Sequence, residues 1–126
     1  MSRRLILILG LYAVFAGGIA SAQQLAALVF FQPHSAAIDD EAYKQLSLVA
    51  DDLRSHGGMI EVRGYADPEG GMPYNRALSL ARAEFIAHTL RELGVPAERL
   101  RVTGRGIVSS VADDQESRRV EIRIVR

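Results

Sequence analysis

From Leu25 to Phe31 the chain reads LAALVFF, a short unbroken apolar run ending in β-branched and aromatic residues. That pattern predicts a buried strand, stopped by Pro33. The period then changes. Ile38-Asp39-Asp40-Glu41 sets carboxylates where the free amides and positive dipole end of a helix would lie. Leu46, Val49, Ala50 and Leu53 follow at helical spacing, with Lys44, Asp51 and Arg54 facing outward. Gly57-Gly58 is expected to close this helix, because glycine accepts the positive φ of a C-terminal cap. Met59 to Tyr65 alternates, Ile60, Val62 and Tyr65 against Glu61 and Arg63, as a strand with one wet face does. A second helix is predicted from about Pro73 to Leu93, closed by Gly94 and Pro96. Arg99 to Thr103 and Val120 to Val125 alternate again as strands, and Gly104 to Arg118 reads as the loop between them. The order β-α-β-α-β-loop-β predicts two helices packed against a four-stranded sheet.

One stretch carries candidate chemistry. Asp67-Pro68-Glu69-Gly70 has Asp, Pro and Gly at the positions a type I turn prefers, and Gly64 before it permits close approach of a neighbour. The second helix begins shortly after. Leu78, Phe85, Ile86 and Leu93 are expected to form its apolar stripe. Asn75, Ser79 and Arg82 stand at i, i+4 and i+7, so they share a face, and that face lies inside the stripe. A guanidinium is not buried without partners. Two readings follow, and the residues leave both open. Either Asp67 and Arg82 form an internal pair tying loop to helix, or they clamp a zwitterion. In the clamp Arg82 takes a carboxylate through paired hydrogen bonds, Asp67 takes an ammonium group, and Asn75 adds neutral donors and acceptors.

Composition narrows the choice. With 126 residues the chain holds one domain, and 48% apolar with 24% charged residues marks it as globular. Met1 to Arg4 carry two arginines, Leu5 to Ala20 run apolar, and Ala20-Ser21-Ala22 supplies small residues. This is the order of a secretory signal peptide, so residues 1–22 are expected to be removed and 23–126 to form one exported domain. As an uncleaved anchor, the apolar run would reach only ~24 Å at ~1.5 Å per residue, short of a ~30 Å hydrocarbon core. No membrane span is expected in the mature chain. Removing Arg3 and Arg4 leaves 13 basic against 15 acidic side chains, a balance that does not attract nucleic acid. Cysteine is absent, which excludes disulfides, a thiolate nucleophile and a lipidated N-terminal cysteine. His34, His56 and His88 lack the spacing of metal ligands, and Asp67 with Glu69 has no evident nucleophile beside it, so neither a metal, a cofactor nor catalysis is expected.

Gly64-Tyr65-Ala66-Asp67 through Gly70, followed by Asn75-x-x-Leu78-Ser79-x-x-Arg82-Ala83-x-x-Ile86, resembles the signature of OmpA-like peptidoglycan-binding domains. Arg118-Arg119-Val120-Glu121-Ile122 resembles their closing strand, and the resemblance runs from about Val29 to Val125. It implies an α+β, two-layer β-α-β-α-β-β domain, a mixed four-stranded sheet with helices on one face. It also implies non-covalent binding of the peptidoglycan stem peptide, notably its diaminopimelate, in the periplasm or cell envelope, where envelope proteins form a further class of partner. By motif position Asp67 would take the ligand's amino group, Arg82 its carboxylate, Asn75 a supporting contact and Arg118 the pocket wall. Gly64, Tyr65, Ala66, Gly70, Leu78 and Ser79 would shape the surroundings. Tyr65-Ala66 stands where the family usually has His-Thr, and Ser117 where an Asn commonly precedes the paired arginines. The alternative on the same fold is a protein-interaction module that keeps the Asp67–Arg82 pair internal and does not bind the wall.

Overall fold

A computed structural model of the chain describes residues 6–8, 23–66, 71–107 and 117–125. The described residues form strands β1 (Ile6–Ile8), β2 (Gln23–Phe30), β3 (Met59–Ala66), β4 (Leu100–Ile107) and β5 (Arg119–Val125), with helices α1 (Asp40–Arg54) and α2 (Met72–Glu92). The strand order is β1-β2-β5-β3-β4. β5 is antiparallel to both β2 and β3, and β3 pairs parallel with β4. The sheet is therefore mixed, and the last strand in the chain lies between two earlier ones. The four strands expected from the pattern are all present, and the three-residue β1 adds antiparallel to the outer edge of β2.

The helices start and stop for identifiable reasons. Asp39 caps α1, its Oδ1 accepting from the Ala42 amide at 2.9 Å, with Asp40 and Glu41 in the first turn. α1 then ends earlier than the glycines suggested. Ser55 is its cap in a right-handed conformation, and Gly58 (φ 99°) instead turns the chain into β3. α2 has a proline in its first turn and closes on Gly94 (φ 100°). There the Gly94 amide donates to the Arg91 carbonyl and the Val95 amide to the Leu90 carbonyl, both at 3.0 Å, while Val95 and Leu90 are buried together. That is a Schellman closure. Among the described residues no helix is long and apolar enough to cross a membrane.

Both helices cover one face of the sheet, where Ala27, Val29, Ile60, Val62, Val120, Ile122 and Ile124 meet Leu46, Val49, Leu53, Ala83, Ile86 and Leu90. The buried side of α2 differs from the expected stripe. It runs through Asn75, Ser79, Arg82, Ala83, Ile86, Ala87 and Leu90, whereas Phe85 is 37% exposed and Leu78 and Leu93 are only half-buried. The N-terminal half of α2 also crosses the sheet very closely. A Cβ on Gly64 would stand 1.8 Å from the Ser79 carbonyl oxygen, and one on Gly104 would stand 2.7 Å from the Leu80 amide nitrogen. The helix lies almost directly on the strands there, so its contact side must be small. β4 accordingly continues through Gly104 to Ile107 rather than stopping at Thr103, and Arg99 belongs to a 3-10 turn (Ala97–Arg99) before it.

The opposite face is polar and self-covering. Glu121 accepts from Arg119 Nε and Nη2 (3.0 and 2.8 Å) and from Arg123 Nε (3.0 Å). Glu61 accepts from Arg63 Nε and Nη2 (2.9 and 2.6 Å) and from Arg101 Nη1 (3.4 Å). Burial would raise the Glu121 pKa, but the two arginines hold it below the ordinary carboxylate value. For Arg63, burial pulls the pKa down, and Glu61 with a contribution from Tyr65 more than restores it, leaving it raised. Tyr65 was expected beside Ile60 and Val62. It belongs to this polar face instead, since odd positions of β3 alternate away from the helices, and its ring lies 4.4 Å from the Arg119 guanidinium carbon.

Candidate functional site

β2 and β3 run in the same direction on either side of β5, so their C-terminal ends and the start of β5 meet at one end of the sheet. The first half of α2 crosses above that end. The topology thereby brings Phe31, Tyr65, Arg118 and the Asn75–Arg82 face of α2 together.

Arg82 is fully buried, at 0% exposure. Its Nε donates to the Ser35 carbonyl at 2.8 Å, Nη1 to the Tyr65 carbonyl at 2.9 Å and Nη2 to the Gln32 carbonyl at 3.0 Å. The guanidinium carbon also stands 5.2 Å from the centre of the Phe31 ring. Three acceptors from two chain segments hold the guanidinium plane, and the planar fork of donors suits this better than a lysine could. Arg82 therefore stitches the turn after β2 and the end of β3 to α2.

Asn75 stands two turns earlier on the same face, and it is 1% exposed. Among the described residues, neither its amide nitrogen nor its amide oxygen has a hydrogen-bond partner. A buried primary amide left unpaired costs about 1–3 kcal/mol, so native structures rarely keep one without a use. Ser79, between the two, is buried and donates its hydroxyl to the Arg76 carbonyl at 2.9 Å. Its own carbonyl lies against Gly64, which fixes the height of this helix face above β3.

The other expected residues fall around this centre. Ala66 is buried and Leu78 is half-buried. The Tyr65 side chain points to the polar sheet face, but its carbonyl serves Arg82. Arg118 is half-buried, and its Nε donates to the Phe31 carbonyl at 3.0 Å, while the Phe31 amide donates to the Arg118 carbonyl at 2.7 Å. Phe31 thus touches both arginines, one with its ring and one with its backbone. Asp67, Glu69 and Gly70 lie outside the described residues.

The turn after β2 was not singled out from the pattern. Gln32 and Ser35 supply carbonyls to Arg82, and His34 between them adopts a left-handed backbone (φ 57°). The His34 Nδ1 and Tyr74 hydroxyl are hydrogen-bonded at 2.7 Å, which latches this turn to the start of α2. Pro33 is the signal that a turn stands there, but nothing local announces which helix it meets. Among the described residues no cluster of acidic, histidine or cysteine side chains forms a metal site.

Residues 30–123 match the model of the OmpA family. Over 69 residues the chain is 39% identical to the outer-membrane lipoprotein YfiB of Pseudomonas aeruginosa, which covers 50% of this chain and 41% of that protein. Among solved structures it is similar to the peptidoglycan-associated lipoprotein from Burkholderia pseudomallei, with a TM-score of 0.70 and 27% identity over 79% of this chain and 89% of that one. The cell wall anchor of the T6SS from Pseudomonas aeruginosa matches with a TM-score of 0.66 and 29% identity, over 87% and 89% of the two chains. The chain spans 41%, 25% and 60% of the lengths of the first curated relatives it matches.

Proposed function

The chain belongs to the OmpA family, and from that premise we propose that it binds cell-wall peptidoglycan non-covalently, gripping the diaminopimelate of the stem peptide without catalysis. The observation that carries this reading is Asn75, a buried amide with no partner on the same helix face as a buried guanidinium. An unpaired buried amide two turns along the same helix face from a fixed cation offers polar groups that one ligand could span. The names of two similar proteins, a peptidoglycan-associated lipoprotein and a cell wall anchor, support the same ligand class. Arg82 takes the carboxylate of the stem residue, which exchanges a neutral carbonyl acceptor for a charged and stronger one. Asn75 pairs its amide with the same residue, Asp67 receives the ammonium group, and Arg118 forms the adjoining wall. The protein acts in the cell envelope, delivered there by a signal peptide over residues 1–22.

Co-sedimentation of the exported protein with insoluble peptidoglycan tests this. Asn75→Ala and Asp67→Ala are each expected to weaken retention roughly ten- to a hundredfold, the equivalent of ~1.5–3 kcal/mol, with the fold intact by circular dichroism. Retention of both variants equal to wild type would sink the clamp.

One observation favours a second reading. Arg82 is fully buried and already binds three carbonyls, as it would in a protein-interaction module whose Asp67–Arg82 pair is internal. That reading predicts no retention of the wild type on peptidoglycan at any salt concentration.

A further inference from the structure

The two outer edges of the main sheet are built differently. β4, at one edge, presents Arg101, Thr103 and Arg105 as exposed side chains and carries Gly104. Exposed charge is an ordinary means of keeping an edge from pairing. β2, at the other, reads QQLAALVF over its eight residues, with no charge and no proline. Its only irregularity among the described residues is a register shift against β5 between Leu25 and Ala27, which leaves Ala27 to Phe30 regular.

That edge is nevertheless paired in the full chain. Ile6, Leu7 and Ile8 stand opposite Val29, Leu28 and Ala27 in antiparallel register. Backbone parity shows which groups are involved. The Phe31 amide donates inward to β5, at the Arg118 carbonyl. Strand alternation then turns the backbone of Val29 inward as well, and that of Leu28 and Phe30 outward. The segment that satisfies the outward groups is part of residues 1–22, which carry the features of a signal peptide. Its removal uncovers an apolar, uncharged strand edge.

We propose that the processed domain pairs through this edge with a second copy of itself, β2 against β2 in antiparallel register about Leu28. This rests on removal of residues 1–22 and is independent of what the Arg82 site binds. A second copy is the occupant because the edge accepts an antiparallel apolar strand of this chain, and β2 is itself such a strand. Two identical antiparallel strands are self-complementary about a two-fold axis, the commonest symmetry of soluble dimers. Centred on Leu28, the pairing places Leu28 against its own copy, much as Leu7 stands opposite Leu28 now, and sets Ala27 against Val29 on the helix face. α1, which packs against β1 and β2, exposes Leu48 and Tyr43, giving a second copy further apolar surface on that helix.

The test expresses the full chain in a Gram-negative host, recovers it from the periplasm, establishes its N-terminus by intact mass, and follows sedimentation velocity across micromolar concentrations. The expected result is a chain beginning at Gln23 with twice the monomer mass. Leu28→Lys, which adds an edge charge, is expected to halve that mass, while Thr103→Lys on the opposite edge leaves it unchanged. Amide hydrogen exchange supplies a reading without substitution. Leu28 and Phe30 should be protected in the dimer and lose protection on dilution, whereas Val29, bonded to β5, stays protected throughout. A processed chain that is monomeric at every concentration overturns the proposal. So does a Leu28→Lys variant that remains dimeric, or a chain that keeps residues 1–22. Peptidoglycan retention is scored separately, so failure of the clamp leaves this result untouched.

Discussion

Two arginines in this domain each hold three backbone carbonyls, and only one of them stands at a candidate binding site. Arg99 donates to the carbonyls of Gly58, Leu53 and His56 at 2.9, 2.9 and 2.6 Å. All three belong to the end of α1 and the turn behind it, where free carbonyls and the negative end of the helix dipole attract a cation. Arg99 is half-buried there. Arg82 is wholly buried, draws its carbonyls from two separated segments, and shares its helix face with an unpartnered amide. A fan of carbonyls around a guanidinium is therefore a structural device in itself. The polar group left over beside it is what suggests a ligand.

The contrast can be broken in order of expected size. Arg82→Met removes the donor from three carbonyls in a dry interior and should cost about 3 kcal/mol or more, a fall in Tm of roughly 12 °C or more by calorimetry. Gly64→Ala drives a methyl into the Ser79 carbonyl, which must lift α2 from β3 and separate Arg82 from Tyr65. It should cost about 2–3 kcal/mol in urea denaturation and weaken peptidoglycan retention, while leaving the Arg99 end unperturbed in amide exchange. Arg99→Met should cost only about 1 kcal/mol, since water can reach the freed carbonyls, and retention should not change. Asn75→Ala should melt within ~1 kcal/mol of wild type, because it deletes a group that has no bond to lose, yet bind more weakly. Equal binding by Asn75→Ala would put the two arginines back in one category.

The polar sheet face adds a smaller, pH-dependent effect. The folded-state pKa of Glu121 lies below its ordinary value of 4.5. Its pairing with Arg119 and Arg123 thus contributes stability above that pH, and the contribution is lost as pH falls through the folded pKa. Glu121→Gln should flatten the acid limb of a Tm-against-pH curve below about 4.5 and leave neutral binding in place.

The helical rotation of ~100° per residue was enough to put Asn75, Ser79 and Arg82 on one face and to place that face in the interior. It misjudged the rest of α2. Phe85 was expected in the core because it is large and apolar, but the buried face is centred on Ser79, Ala83, Ile86 and Leu90, and Phe85 stands about 100° round the helix from Ile86. What a one-dimensional pattern does not contain is the closeness of α2 to Gly64, against which Ser79 and Ala83 lie. The same closeness explains Gly104, whose glycine reads as a strand stop and in fact lets a strand pass under α2. The partners of Arg82 were hidden for another reason. Gln32 and Ser35 act through their carbonyls, and a backbone acceptor has no side-chain signature.

The position of β5 has a consequence for how the chain is made. The strand that emerges last must insert between two that emerged long before, and Arg118 just ahead of it closes on Phe31 across 87 residues. Even the bond from Arg82 to Gln32 spans 50. Such distant pairings slow folding, because loop closure precedes the reward. The sheet cannot be completed until its final strand is available, so its closure waits for the whole domain to be synthesised.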